Sequence, residues 1–235
     1  MVFPWSLGLL FYLVVPPVLL SSCPPGLLLA RSLPAMNLQT EFGDIDIYVF
    51  DQLLRGRLAP GMRVFDAGCG GGRNLVYLLR QGFEVCGNDM NPDAIAQVSA
   101  MAAALAPARP ADFRVEAIEN TSFPAANADA VLASAVLHFA RDDAHFAAML
   151  QAMWCVLKPG GLFFARLAST IGMEGQAQPL GGGRYRLPDG SDRYLVDAAA
   201  ILDWTARLGG DLLDPIKTTV VHDQRSMTTW VARRR

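Results

Sequence analysis

The sequence is poor in charged side chains, since Asp, Glu, Lys and Arg make up only 18% of its 235 residues. The 20 basic and 22 acidic residues nearly cancel, which leaves a formal net charge of −2. So small a charge argues against binding nucleic acid through bulk positive charge, and we expect no nucleic-acid partner. With 52% hydrophobic residues, the chain has the composition of a folded domain rather than of a disordered segment.

Cysteine and histidine are also scarce, with 4 and 3 copies. The sequence contains no C-x-x-C pair, and no cysteine stands beside a histidine at the spacing of a metal site. This pattern argues against a zinc framework and a disulfide scaffold, and we predict no bound metal. Scattered cysteines are typical of proteins in a reducing compartment, so we predict a cytoplasmic location.

No charged residue precedes Arg31, and residues 1–35 are mostly apolar. A secretory signal begins with Lys or Arg, and the lipoprotein-like box that ends at Cys23 lacks the same basic start. A membrane helix needs about 20 consecutive apolar residues, and prolines break the apolar run of this segment. We therefore predict that residues 1–35 are an extension outside the fold and that the working domain covers residues 36–235. A membrane anchor is the alternative interpretation of the extension.

Short apolar runs alternate with helical patterns in the rest of the chain, which implies parallel βαβ units with right-handed crossovers. The last two β-rich runs have only a short link and should pair antiparallel. The sequence thus predicts an α/β fold, with a three-layer, doubly wound, mostly parallel sheet and an antiparallel last strand. The predicted strands are 63–66, 83–88, 113–118, 130–135, 162–167, 216–221 and 227–232, and the predicted helices begin at residues 44, 73, 91, 142 and 197.

A glycine-rich turn, Asp66-Ala67-Gly68-Cys69-Gly70-Gly71-Gly72-Arg73, joins the first predicted strand to a helix. Glycines allow a sharp turn and a close approach of a ligand, which in such sheets lies beyond the carboxyl ends of the strands. The dinucleotide fingerprint that starts at Gly68 requires glycine at position 73, where this chain has Arg73. Asp66 would repel a pyrophosphate but attract an ammonium or sulfonium group.

Asp89 ends the second predicted strand. An ionised carboxylate at this place has two oxygens that can accept both hydroxyls of a ribose. Together with Asp66 and the glycine-rich turn, it predicts a ligand that carries a ribose and a cationic tail rather than two phosphates.

With these residues the chain resembles the class I S-adenosylmethionine-dependent methyltransferases over residues 44–235. The resemblance rests on the D-x-G-x-G-x-G turn, on Asp89, and on Leu-Lys-Pro-Gly-Gly at 157–161 before the fifth strand. The Gly-Arg-Asn continuation at 72–74 is locally similar to tellurite-resistance-type methyltransferases. The resemblance implies a Rossmann-like fold, S-adenosylmethionine as cofactor, and methyl transfer to a small-molecule acceptor.

The resemblance also implies roles for single residues. Asp66 would lie near the methionine amino group, Gly68 and Gly70 would pass beneath the methionine moiety, and Asp89 would hold the ribose.

Around the adenine, Met90 would flank the ring. Ala117 stands where the family often has an aspartate, so Ile118 would offer its backbone N–H instead, with the Glu119 carboxylate beside it. Ser134, at the end of the fourth strand, would face the methyl-donor region. The complete predicted set of cofactor-binding residues is Asp66, Gly68, Cys69, Gly70, Asp89, Met90, Ile118 and Ser134.

Methyl transfer needs an acceptor held in line, and a base only where the acceptor carries a proton. His138, just past the fourth strand, is the candidate catalytic base, with simple packing as an equal alternative. Arg166 is costly to bury unpaired inside the fifth strand, so we expect it to point into the pocket. Arg166, Tyr48 and Arg186 are the candidate substrate-binding residues, and the basic cluster favours an anionic acceptor. The glycine-rich insert around 169–193 is interpreted as a lid.

Two alternatives stay open at this point. One is a non-catalytic module that binds S-adenosylmethionine, and the other is a nicotinamide-dependent oxidoreductase, against which Asp66 and Arg73 argue. The acceptor's identity and the oligomeric state do not follow from the sequence.

Overall fold

The structure is a computed structural model that describes residues 37–109 and 111–235. The predicted extension, residues 1–35, lies outside the described residues. Over the two described ranges, no helix has the length and apolar character needed to cross a bilayer. The helices are α1 (Leu38–Phe42), α2 (Ile47–Leu54), α3 (Val76–Arg80), α4 (Pro92–Leu105), α5 (Asp143–Val156) and α6 (Ala198–Arg207).

The strands fall into a central sheet and a small separate one. The central sheet contains β1 (Arg63–Ala67), β2 (Glu84–Asp89), β3 (Asp112–Val115), β4 (Ala128–Ser134), β5 (Leu157–Ala168), β9 (Gly210–Leu212), β10 (Lys217–Val221) and β11 (Arg225–Arg234). The small sheet contains β6 (Gln178–Gly181), β7 (Arg184–Arg186) and β8 (Asp192–Tyr194).

The central sheet has the order β10-β11-β5-β4-β1-β2-β3, and β9 pairs with β11. Strands β1 to β5 are mutually parallel, whereas β11 is antiparallel to both β5 and β10. The predicted doubly wound sheet with an antiparallel last strand is confirmed. From β1 the chain adds β2 and β3 on one side of the sheet, and it then returns to add β4 and β5 on the other side. The strand order therefore switches between β1 and β4, and ligands bind at such a switch point in open α/β sheets.

Helices cover both faces because the central strands are apolar on both. Successive strand residues point to opposite faces. In β1, Val64 packs with Leu78 of α3 in one core cluster, while the next residue, Phe65, packs with Phe146 of α5 in the other. All four side chains are fully buried. Burying a large apolar side chain stabilises a fold by about 1.5–3 kcal/mol, and the sheet gains this on each side.

Two boundaries differ from the sequence prediction for a local reason. The helix expected from residue 44 begins at Ile47, because the Asp46 carboxylate accepts a hydrogen bond from the Tyr48 N–H at 2.9 Å and caps it. The segment 158–161, whose Lys-Pro-Gly-Gly sequence is typical of a turn, belongs to β5, where the register against β4 shifts between Ala128 and Ala130. The turn residues therefore form a bulge within the strand rather than a loop before it.

The insert folds into the small sheet rather than into an open loop. A turn at 188–191, with the turn-forming sequence Pro-Asp-Gly-Ser, joins β7 to β8 as an antiparallel hairpin. A second antiparallel pair, β6 with β7, completes it. Leu187 and Leu195 of the insert pack with Ala168 at the end of β5, which holds the small sheet beside the carboxyl edge of the central one.

Candidate functional site

The switch point is marked by two residues with positive φ. Gly68, directly after β1, has φ 67°, and a Cβ placed there would lie 2.5 Å from Cγ2 of Val136. Only glycine fits this position. Ala135, directly after β4, has φ 63°, which is strained for a residue with a Cβ, and its N–H donates to the Arg166 carbonyl at 2.7 Å. Strain of this kind concentrates at ligand-binding sites.

Two cavities meet at Gly68 and Ala135, which line both. The larger, about 780 Å³, runs along the glycine-rich turn to the ends of β4 and β5 and to the insert. The smaller, about 460 Å³, lies beyond the ends of β2 and β3. A Cβ at Gly70, which lines the larger cavity, would meet no atom within 4 Å. The turn thus presents bare backbone to open space that a ligand can fill.

Asp89 stands at the rim of the smaller cavity. Its carboxylate accepts hydrogen bonds from the N–H groups of Gly70 and Asn91, both at 2.9 Å. These bonds fix the carboxylate against the glycine-rich turn. Each carboxylate oxygen has a second lone pair, so capacity remains for the two hydroxyls of a ribose.

The predicted adenine-binding residues line the same smaller cavity. Met90 is 70% exposed there, and Ile118 opens the short helical turn 118–120. Glu119 lies beside them, with Oε1 2.9 Å from Nε2 of His145. Burial tends to raise the pKa of Glu119, but hydrogen bonds from the backbone and from His145 hold it below its usual value.

His145 is a cavity residue that the sequence did not indicate. It lies in the first turn of α5, where the Asp142 side chain accepts a hydrogen bond from its N–H at 2.7 Å. A helix-start signal can be read from Asp142. The approach of α5 to the turn 118–120, which brings His145 to Glu119, depends on packing that has no local sequence signal.

Asp66 is 2% exposed at the end of β1 and lines neither cavity. Burial raises its pKa to about 7, with Arg73 acting to lower the pKa and Asp89 to raise it. The carboxyl group is therefore poised to ionise when a cation comes near. Cys69 lines the larger cavity, and burial raises the pKa of its thiol, which stays protonated at neutral pH.

The buried carboxylate of Asp46 contacts three residues that line the larger cavity. Its Oδ2 accepts hydrogen bonds from Ser134 Oγ at 3.0 Å and Arg166 Nη1 at 3.1 Å. Arg73 Nη2 lies 3.7 Å from the same oxygen and donates to Ser134 Oγ at 2.8 Å. The Asp46 N–H donates to Asn74 Oδ1 at 2.9 Å, so helix α2 is tied to the residues that follow the glycine-rich turn.

Asp46 was not among the predicted site residues. Two of those residues, Ser134 and Arg166, meet through it. Its only sequence signal is that of a helix cap, Asp-Ile-Asp before an amphipathic run, and this signal does not reveal the partners across the fold.

His138 lines the larger cavity and is 7% exposed. Its Nδ1 has no hydrogen-bond partner among the described residues. Burial lowers the pKa of His138 to about 4, and the nearby charges of Arg193 and Arg225 act in the same direction. The imidazole is therefore neutral at physiological pH, and burial and the two arginines make it a weaker base than a free imidazole.

The three candidate substrate-binding residues do not lie together in the structure. Arg166 lines the larger cavity, as expected. Tyr48 lies behind it, with the Arg166 guanidinium 5.3 Å from its ring centre and its hydroxyl 2.7 Å from Thr219 Oγ1. Arg186 forms an ion pair with Asp192 and lines neither cavity. The insert instead brings Leu187, Asp189, Ser191 and Arg193 to the cavity wall, and the start of β11 brings Arg225.

Comparison with known proteins agrees with this geometry. A family model described as a methyltransferase domain matches residues 64–161. The ubiquinone biosynthesis O-methyltransferase of Xanthomonas campestris is 31% identical over 190 residues, which are 74% of this chain and 75% of that protein. The protein of the same name from Methylocella silvestris is 40% identical over 119 residues, which are 48% of this chain and only 44% of that protein.

Among solved structures, magnesium protoporphyrin IX methyltransferase from Synechocystis with bound S-adenosylmethionine has the same fold. Its TM-score is 0.60 at 18% identity, over 81% of this chain and 77% of that one. The chain belongs to the class I S-adenosylmethionine-dependent methyltransferases, enzymes whose cofactor is S-adenosylmethionine. The bare turn at Gly70, the fixed Asp89 carboxylate and the two adjoining cavities fit that group.

Proposed function

We propose that this protein methylates a small molecule that binds in the larger cavity, with His138 as the catalytic base. One observation carries the proposal: a neutral imidazole, with an unpartnered Nδ1, lines the cavity that runs on to the glycine-rich turn. A general base must lie within reach of the acceptor's proton and be unprotonated, and His138 is unprotonated at any pH well above 4. Its low pKa makes it a weak base in the ligand-free protein, so the proposal rests on its place in the cavity and its unpartnered Nδ1.

The donor end of the site is assigned to residues of β1 and β2. Asp89 holds the ribose hydroxyls, while Gly68 and Gly70 leave room for the methionine moiety beneath the turn. Asp66 ionises beside the donor's ammonium group, and Ile118 and Met90 border the adenine. When bound, S-adenosylmethionine supplies the methyl group, and its sulfonium becomes a neutral thioether. The protein's task is therefore mainly to position the acceptor.

At the acceptor end, His138 takes the proton from the nucleophilic O–H or N–H of the acceptor. The bond from that atom to the methyl carbon forms as the bond from carbon to sulfur breaks, which yields S-adenosylhomocysteine and the methylated product. The proton then passes from His138 to solvent. Arg166, held by Asp46, borders the acceptor from β5.

The hairpin β7–β8 and its turn complete the wall over the acceptor, and we assign it the role of a lid that excludes water during transfer. The cytoplasm is the compartment we propose for this reaction. The free thiols of Cys69, Cys86 and Cys155 are compatible with it.

The test is turnover on a panel of small acids, phenols, thiols and amines with S-adenosylmethionine. On any acceptor that is methylated, His138→Gln should lower kcat by about a hundredfold or more, because a base contributes about that much to proton transfer. The affinity for S-adenosylhomocysteine should stay unchanged. The matched control is His222→Gln, which replaces an exposed histidine outside both cavities.

Equal kcat in the parent and in His138→Gln would remove His138 from the mechanism. Tight binding of S-adenosylhomocysteine with no product from any acceptor would favour the non-catalytic module over the enzyme.

A further inference from the structure

The acceptor end of the larger cavity carries more positive than negative charge. The charged residues that line this cavity are four arginines, Arg73, Arg166, Arg193 and Arg225, and two aspartates, Asp44 and Asp189.

Two of these arginines already have a partner. Arg166 and Arg73 lie 3.1 and 3.7 Å from the buried Asp46 carboxylate, which offsets part of their charge. For Arg193 and Arg225, no carboxylate lies within 4.0 Å in residues 37–109 and 111–235. Their charge is therefore available to a ligand.

Asp189 lies near both arginines, and its negative charge offsets part of theirs, but its carboxylate is held by neutral donors. Its Oδ1 accepts hydrogen bonds from the N–H and the hydroxyl of Ser191, at 2.9 and 2.6 Å. These bonds lower the pKa of Asp189, so it is ionised at neutral pH. Its carboxylate closes the hairpin turn and forms no ion pair with Arg193 or Arg225.

Arg193 is fixed in place before any ligand binds. Its Nη1 donates to the Asp192 carbonyl at 2.8 Å, and its guanidinium lies 4.9 Å from the ring centre of Phe139. A guanidinium held in this way loses little freedom when it binds an anion. Arg225 reaches the cavity from a different element, the first position of β11, so the two charges converge from separate hairpins.

The strand register explains why Arg193, and not Arg186, lines the cavity. Residues that pair across an antiparallel hairpin point to the same face. Arg186 pairs with Asp192, whereas Arg193 pairs with Tyr185. Arg193 therefore lies on the opposite face of the hairpin from the Arg186–Asp192 ion pair, and this face is turned to the cavity.

We propose that the methyl acceptor carries a carboxylate, which binds between Arg193 and Arg225 and places the acceptor's nucleophilic atom near His138. This inference rests on the proposed function and names its substrate class. Guanidinium groups match the planar, two-oxygen geometry of a carboxylate better than that of a neutral group. The carboxylate only anchors the acceptor. The methyl group goes to another atom of the acceptor, because an arginine-bound carboxylate is a poor nucleophile.

The experiment compares acids with their neutral amides in the protein saturated with S-adenosylhomocysteine. The probes are hydroxybenzoates, hydroxyphenylacetates and short 2-hydroxy acids, each beside the corresponding amide, and binding is measured by calorimetry. We expect at least one acid to bind about tenfold or more tighter than its amide. Arg193→Gln and Arg225→Gln should each remove that preference, while Arg186→Gln, with the same charge change on the same hairpin, should retain it.

The affinity for S-adenosylhomocysteine separates this inference from the proposed function. Normal S-adenosylhomocysteine binding with equal affinities for every acid and amide would overturn the carboxylate assignment alone. The same holds if Arg186→Gln weakens acid binding as much as Arg193→Gln does. Failure of the unmodified protein to bind S-adenosylhomocysteine would overturn the proposed function itself.

Discussion

At the scale of single residues, we expect Asp66 to couple donor binding to pH. Burial raises the pKa of its carboxyl group to about 7, so much of the ligand-free protein carries a proton there at neutral pH. A donor ammonium group beside Asp66 favours the ionised form, and binding then releases that proton. The affinity for S-adenosylhomocysteine should therefore fall as the pH drops below about 7 and level off above it.

The measurement is calorimetry of S-adenosylhomocysteine between about pH 5.5 and 8, a range that spans the raised pKa of Asp66. The parent should lose up to about tenfold in affinity per pH unit on the acid side, and Asp66→Asn should show a flat profile. A flat profile in the parent would remove Asp66 from the donor site.

The same shift has the opposite sign for stability of the ligand-free protein. The folded pKa of about 7 lies above the ordinary value of 3.8, so the folded chain retains a proton that the unfolded chain has lost. The contribution of Asp66 to the free energy of unfolding is therefore complete below about pH 4 and declines as the pH rises to about 7.

At the scale of elements, Asp46 decides how α2 meets the sheet. Its side chain is 0% exposed and bonds to Ser134 and Arg166, while its backbone holds Asn74. Asp46→Asn keeps the shape but removes the charge that these donors face. We expect a loss of about 1.5–3 kcal/mol in the free energy of unfolding, the range for hydrogen bonds to charged groups.

Urea unfolding measures this loss, and Asp51→Asn is the matched control on the same helix. Asp51 pairs with Arg55 at 2.8 Å and with Lys217 at 3.2 Å, but its side chain is 29% exposed and those of its partners 41% and 36%, so each pair contributes less than about 1 kcal/mol. If both variants are destabilised equally, Asp46 acts only as the cap of α2 and does not organise the site.

Elements with local signals could be predicted from the sequence. Asn91 caps α4 with Pro92 in the first turn, and Asp197 caps α6, as their sequence contexts indicate. The short strand β9 had no such signal, because its pairing with β11 is set by distant residues. The bulge at 158–161 has the composition of a turn, and only its register against β4 makes it part of a strand.

The candidate site divides in the same way. Asp89, Gly68 and Gly70 follow directly from the order of strand, turn and helix, so their places beside the cavities could be predicted. The insert's residues could not be ranked, since the choice between Arg186 and Arg193 depends on which face of a hairpin is turned inward. Local sequence does not encode that orientation.

At the scale of the whole molecule, the site has a donor half and an acceptor half. The matched methyltransferase domain covers residues 64–161, from β1 to the bulge in β5. Arg166, Arg193 and Arg225 all lie beyond residue 161. The family likeness therefore identifies the cofactor, while under our proposal the acceptor's chemistry is set by β5, the insert and the final hairpin.

Ligands that bind the donor half should also raise the stability of the folded protein. A ligand that binds only the folded chain stabilises it by about 2.7 kcal/mol at a concentration of 100 times its Kd. S-adenosylhomocysteine should therefore raise the unfolding temperature, and NAD should leave it unchanged. An increase with NAD alone would restore the oxidoreductase alternative.

The most direct measurement is calorimetric titration of S-adenosylhomocysteine into the parent protein and into Asp89→Ala. We expect one site in the parent and an affinity at least about tenfold weaker in the variant, because the ribose hydroxyls lose their acceptor. Asp93→Ala, an exposed acid in the first turn of α4 that lines neither cavity, should bind like the parent. Equal affinity in Asp89→Ala and the parent would contradict the assignment of the donor site.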